Sequence, residues 1–281
     1  MTTEDRPLST LELLWGSRER PRRGPRPKLT VERIVETAVE VADAEGSEAL
    51  SMQRVAKEFG YTTMSLYRYV QSKEQLLELM FDAGSGPVPP VDESVSGWRA
   101  EIEWWVRQQQ RIYQRHPWML RVAVSGPPLG PNNLAWMEAG LRPLVRAGLA
   151  GFDSVEALMF ITGAVREICR IEDDMRRQME QHGITQQQMD EGYVQALKWV
   201  VNVQAHPTLA GMLEQGVFDA MEHPTLAGFP QNRNDEDAGG RAAGDEFGQA
   251  GQGELAFGLR RLFDGIERHV GERAAGRHDT G

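Results

Sequence analysis

Hydrophobic positions recur at helical spacing from Thr30 onward. Val31, Ile34, Val35, Ala38, Val41 and Ala42 fall on one side of a helix over 31–45, with Thr30 as its N-cap and Gly46 as its stop. Ser51 caps a short second helix with inward residues Met52, Val55, Ala56 and Phe59. It ends at Gly60, the residue best able to take the left-handed conformation of a tight turn. A third helix starts at once, with Leu66 and Val70 on one face and Thr63, Met64, Tyr67 and Arg68 on the other. A fourth opens at Ser72-Lys73-Glu74-Gln75, where Ser72 and Gln75 are spaced to cap each other's backbone.

Beyond "GSGPVPP" at 84–90, a proline and glycine hinge, the pattern stays helical and no period-two run appears. Gly97 to His116 holds Trp98, Ile102, Trp105, Ile112 and Tyr113. A long helix capped by Asp153 carries Val155, Leu158, Met159, Thr162, Val165, Ile168 and Cys169 on one side, with Gly163 and Ala164 allowing a neighbour to approach. Residues 231–253 are rich in Gly, Asp, Gln and Ala and too poor in apolar residues to offset the entropy of folding, which predicts a disordered loop. After it a stripe returns in Leu255, Leu259, Leu262, Ile266 and Val270, with Phe263 beside it. That stripe must dock on its own subunit or on a second chain.

Composition changes this picture in three places. A chain of 281 residues at 40% hydrophobic content buries a full core and leaves room for a second small domain. The single cysteine, Cys169, excludes an intrachain disulfide and on an apolar face reads as packed core; with no early apolar leader, a reducing cytoplasm is expected. No stretch approaches the roughly 20 consecutive apolar residues of a membrane helix, so no membrane partner is expected.

Charge is uneven. Residues 1–80 hold 12 Lys+Arg against 13 Asp+Glu, so of the total 31 and 41 the remainder holds 19 against 28, a net of −9. Within the first part, Arg18 to Arg33 carries seven cations against Glu19 and Glu32. "RERPRRGPRPK" interleaves Pro and Gly with Arg, which forbids a regular helix and predicts an extended basic arm over 1–28. By itself such an arm is either a polyanion contact, through Arg22, Arg23, Arg26 and Lys28, or a solubilising tail.

The helices downstream of the arm favour the polyanion contact. Two short helices joined by a glycine turn, the second with a hydroxyl-rich and nearly acid-free outer face, form the helix-turn-helix arrangement that sets one helix in the DNA major groove. Thr62, Thr63, Ser65, Tyr67 and Tyr69 can reach phosphates and base edges without the desolvation cost of an unpaired carboxylate. Lys73 at the next helix start can share a phosphate with backbone N–H groups.

At these residues the chain resembles the tetracycline-repressor-like (TetR/AcrR) transcriptional regulators. "TVERIVETAVEVADAEG" and "SMQRVAKEFGYTTMSLYRYVQSKEQLLELM" follow that family's N-terminal pattern, including the "LYRYV" core and the Lys after it. The resemblance implies that Thr62, Thr63, Met64 and Ser65 face bases, that Tyr67 and Lys73 contact phosphate, and that Ser51 and Gln53 touch DNA from the second helix. Met64 stands where some relatives carry Pro or a small residue, which leaves open the base pair it reads. Resemblance to the C-terminal region of tetracycline repressors is looser, resting on "YQRHPWML" and "GPNNLAWMEAGLRPL". It implies a small-molecule site among helices, for which Trp105, Tyr113, Trp118, Trp136 and Phe160 supply walls and His116, Arg166 and Arg170 polar anchors. Aromatic residues at this spacing also serve as plain core. It further implies that the helix from Asp153 and the terminal helix pair with their copies in a homodimer, through Leu255, Leu259, Leu262, Ile266 and Val270.

Other chemistry is nearly absent. No GxGxxG, GxxxxGK, HExxH or GxSxG occurs, and the six His lack metal-ligand spacing, so no catalytic residue, metal or cofactor is assigned. The repeat "HPTLAG" at 206–211 and 223–228 reads as two helix starts with Pro at the first position. The expectation is an all-α protein: arm 1–28, helix-turn-helix DNA-binding domain 29–83, linker 84–96, and a ligand-binding and dimerisation domain 97–281. Its expected partners are a double-stranded DNA operator, a small-molecule inducer and its own copy. A helical enzyme or carrier with an incidental helix-turn-helix is the alternative.

Overall fold

The computed structural model describes residues 8–16, 29–122, 129–218 and 254–278. Arg22, Arg23, Arg26 and Lys28, the second "HPTLAG" and the expected loop 231–253 lie outside them. Among the described residues all regular structure is helical. In chain order the helices are α1 (Thr10–Gly16), α2 (Val31–Glu45), α3 (Met52–Glu58), α4 (Thr63–Tyr67), α5 (Lys73–Ser85) and α6 (Trp98–Arg115). A 3-10 turn (Pro117–Leu120) then leads to α7 (Pro131–Arg146), α8 (Phe152–His182), α9 (Gln186–Val200), α10 (Pro207–Glu214) and α11 (Glu254–His278). Contacts divide the chain into Met1–Cys169 and Arg170–Gly281, so the division falls inside α8 and not at the linker 84–96.

Local chemistry sets the ends of the reading helices. Thr30 Oγ1 accepts from Arg33 N at 3.3 Å and Ser51 Oγ from Arg54 N at 3.1 Å, each satisfying one open amide of a first turn. Gly46 and Gly60 take φ of 84° and 68°, where a Cβ would be strained. Ile34, Ala38, Val55, Leu66 and Val70 are fully buried, so α2, α3 and α4 share one small core. Arg54 ties Glu45 of α2 to Glu58 of its own helix, and its hydrogen bonds hold the Glu45 carboxyl below its ordinary value. This cation braces the motif from within.

Residues 10–16, expected in the arm, form a helix. The cause is tertiary: Leu13 is buried, Leu8 O accepts from Gln71 Nε2 at 2.8 Å and Gln75 Nε2 at 3.1 Å, and Trp15 Nε1 donates to Leu129 O at 2.9 Å. Gln75 is thereby drawn off the expected reciprocal cap: Ser72 Oγ still accepts from Gln75 N, but Gln75 Oε1 accepts from Gln71 N.

The expected hinge begins inside structure. Gly84 and Ser85 are the last turn of α5, and a Cβ at Gly84 would lie 3.1 Å from Met119 Sδ and 3.2 Å from Trp118 Cζ2, so this glycine admits a neighbour. Nearby, buried Asp82 of α5 reaches the start of α7, its Oδ1 accepting from Asn133 N at 2.9 Å and Nδ2 at 3.0 Å. A carboxylate at a helix N-terminus is favoured by the helix dipole. A Cβ at Gly130 would sit 2.0 Å from that same oxygen. Gly130→Ala is therefore expected to push Asp82 off α7 and destabilise the fold by ~1–3 kcal/mol, read by thermal unfolding; an unchanged midpoint would show that the junction yields freely.

Candidate nucleic-acid interface and helical interior

Between Glu58 and Glu74 the sequence has no carboxylate, and the structure turns this stretch outward. Gly60 reverses the chain, Leu66 and Val70 anchor it from below, and Thr62, Met64, Tyr67, Arg68 and Tyr69 are exposed, with Thr63 and Ser65 half-buried. Met64 is 72% exposed, the most open large hydrophobe of the motif. Thr62 Oγ1 and Ser65 Oγ lie 3.2 Å apart and share a hydrogen bond, which orients both hydroxyls at the start of α4. Ser51 and Gln53 are exposed at the first turn of α3, and Lys73 stands at the first turn of α5. The helix is short: α4 closes at Tyr67, so Tyr69 lies beyond it. Tyr67 and Tyr69 also wall a small recess of about 120 Å³ against Leu8 and Leu13, a neighbourhood that sequence periodicity gives no sign of.

The residues expected to line a ligand site divide. Trp105 and Trp136 are buried, and their indole N–H groups are already used: Trp105 donates to Trp136 O at 2.9 Å, and Trp136 divides its proton between Ser85 O and Gly86 O, both at 3.0 Å. Tyr113 is buried, which pushes its phenol above the ordinary value against a smaller opposing pull from Arg166. Arg166 of α8 donates through Nη2 to Leu120 O at 3.3 Å and Val122 O at 2.7 Å. Gln110, one turn before Tyr113 on α6, is buried on the same side of that helix, and sequence reasoning misses it because a lone glutamine carries no signal. His116 and Trp118 face elsewhere: His116 Nδ1 and Trp118 Nε1 both lie 2.8 Å from Asp43 Oδ1. Phe160 is 65% exposed on the outside of α8. Arg170, beyond the division of the chain, pairs with Asp174 at 2.6 Å.

A second concavity, about 350 Å³, lies between the linker residues Val88–Val91, α6 and α7, floored by Trp104, whose ring stacks on Trp136 at 6.4 Å. Among the described residues no His, Cys, Asp and Glu come together as a metal-binding group, and no helix is long and apolar enough to cross a membrane.

The faces of the long helices matter for assembly. In α8, Leu158, Ile161, Val165 and Cys169 are buried, while Phe152, Met159, Phe160 and Gly163 form an opposite, exposed stripe. In α11, Leu259, Phe263 and Ile266 are buried within the single chain, Leu255, Leu262 and Val270 are half-buried, and Phe257 is exposed.

Comparison with known proteins agrees with this arrangement. Residues 34–80 match the bacterial regulatory proteins, tetR family, and residues 89–214 the tetracyclin repressor-like C-terminal domain. The chain is 37% identical over 265 residues to the HTH-type transcriptional repressor DrrR1 of Streptomyces coeruleorubidus, spanning 94% of this chain and 87% of that one. Apo ActR from Streptomyces coelicolor has the same fold, with a TM-score of 0.61 at 23% identity over 89% of this chain and all of its own. ActR in complex with actinorhodin superposes with a TM-score of 0.56 at 27% identity, over 72% of this chain and 98% of its own.

Proposed function

The chain belongs to the TetR family of helix-turn-helix transcriptional regulators, and from that premise we propose that it is a homodimeric repressor released from a palindromic operator by a small-molecule inducer. The observation that carries the DNA-reading half is the exposed, carboxylate-free face between Glu58 and Glu74. Thr62, Thr63, Met64 and Ser65 meet base edges; Ser51, Gln53, Tyr67, Tyr69 and Lys73 meet the backbone. Arg22, Arg23, Arg26 and Lys28 reach the adjacent minor groove, whose narrow A·T-rich form attracts arginine. Such work belongs to the cytoplasm. Membership in a family of regulators sets aside the alternative of a helical enzyme with an incidental reading motif.

The inducer half rests on the interior where Tyr113 and Arg166 meet, with Gln110 buried one turn away. Of the other expected lining residues, Trp105 and Trp136 are buried, whereas His116 and Trp118 are turned to Asp43, Phe160 is exposed and Arg170 lies beyond the division of the chain, so these four are not assigned to it. ActR, solved with actinorhodin, supplies the precedent for a small molecule in this fold. An inducer that weakens DNA binding must be weakened by DNA in equal measure. Dimerisation is supported by α8, which carries apolar residues on two opposite faces when one suffices for its own core. The stripe of α11 contributes less, since Leu259 and Ile266 are already covered in the subunit and only Leu255, Leu262 and Val270 keep partial exposure.

Selection from a random duplex pool tests the reading directly, an unenriched pool sinking it. With the selected duplex, Tyr67→Phe combined with Lys73→Ala is expected to weaken binding to all sequences alike and to lower the slope of log K on log salt by about one, the lost Lys73 cation. An unchanged slope removes Lys73 from the phosphate contacts.

A further inference from the structure

We propose that Asp43 is a positioning residue for DNA reading: its carboxylate, gripped by His116 and Trp118, fixes the reading helices in the orientation that fits two half-sites. The inference rests on the DNA-reading function proposed above and adds the residues through which the 3-10 turn after α6 governs it.

Asp43 lies in the last turn of α2, where the helix dipole disfavours a carboxylate. Two donors from 73 and 75 positions away account for it. His116 Nδ1 is 2.8 Å and 3.0 Å from the two Asp43 oxygens, and Trp118 Nε1 is 2.8 Å from Oδ1. A carboxylate only accepts, so the histidine proton sits on Nδ1. Trp118 is 1% exposed, and the one polar atom of its side chain is given to Asp43.

The same indole packs on Gly84 in the last turn of α5, where any Cβ would press on its ring. One side chain thus touches both helices, α2 and α5, that carry α3 and α4. Two and four residues further on, Leu120 and Val122 offer their carbonyls to Arg166, whose charge also acts on the buried Tyr113 phenol. A path of hydrogen bonds and packing within Met1–Cys169 runs from Arg166 of α8 through the 3-10 turn to α2, the helix that leads into α3. A molecule that competes for Arg166 or Tyr113 loosens the end of the 3-10 turn, and with it the grip on Asp43. Spatial continuity alone does not establish coupling, so the test separates positioning from mere bracing.

Two variants of the full-length protein serve: Asp43→Asn, which keeps shape and one acceptor, and Trp118→Phe, which removes the N–H together with part of the ring beside Gly84 and is therefore compared with Asp43→Asn at matched melting temperature. Each is measured for binding to the selected duplex and to a scrambled duplex of equal length, and for amide hydrogen exchange along the chain. The expected result is a loss of about tenfold in affinity for the selected duplex with scrambled-duplex affinity little changed, and faster exchange in α4 and the first turn of α5 but not in α7. The double variant should fall short of the sum of the two single losses, because both act on one coupled cluster. Equal losses on both duplexes, or a lowered melting temperature with an unchanged exchange pattern, would reduce the cluster to a brace and overturn the proposal. Should the parent protein enrich no duplex, the DNA-reading function fails; exchange then decides the positioning role by itself, unchanged α4 rates counting against it and faster ones for it.

Discussion

Glutamates in place of Met159 and Phe160 should leave each subunit folded and split the proposed dimer, lowering affinity for a two-half-site operator by ~10²–10⁴ while single-half-site binding stays nearly constant. Both side chains point away from the subunit core, 67% and 65% exposed, so the change removes little from the monomer's own packing. In a helix-helix interface the same two carboxylates would be buried without partners, at a cost of several kcal/mol. Sedimentation of the variant reads the result, and a persistent dimer would move the interface off α8. Leu259→Glu with Ile266→Glu is the informative contrast. These residues are 4% and 6% exposed in the single chain, so charging them should unfold the subunit before it dissociates anything.

Trp118→Ala carries the largest stability penalty expected at a single position. The indole is among the largest fully buried side chains, it fills the space beside Gly84, and its N–H serves Asp43. Truncation leaves a cavity between α2, α5 and the 3-10 turn and one donor fewer on a carboxylate, for ~3–5 kcal/mol in all. Chemical denaturation would show a lower midpoint with an unchanged slope. A midpoint shift no larger than that of Trp118→Phe would mean that the surroundings collapse into the space.

The elements legible in the sequence are those with local causes. Thr30 and Gly46 bound α2, Ser51 and Gly60 bound α3 and its turn, and both caps and glycines work through neighbours three or four residues away. What escaped has distant causes. Helix α1 is seven residues long and exists because Trp15 bonds a carbonyl 114 positions away and Gln71 bonds Leu8. Gly84 reads as a hinge beside prolines, and it takes Trp118 and Met119 packed against it to show that it is a packing site. In the core, spacing places Trp105, Trp118 and Trp136 inward but says nothing of whether each N–H is already engaged. The role of Asp43 is hidden for the same reason, since no pattern within α2 points to "HPW" 73 residues on.

Helix α4 spans five residues, far below the ~12–15 that hold a helix together in water, so it stands only because Leu66 and Val70 are buried beneath it. Its opening exposes two side chains and a few amides, while melting the subunit exposes whole cores; the reading element therefore sits at the low end of the molecule's range of local stabilities. On warming it is expected to open first. As the protein warms, the population able to recognise an operator declines while the long helices around it are still intact, so the threshold for losing control of transcription lies below the threshold for losing the fold.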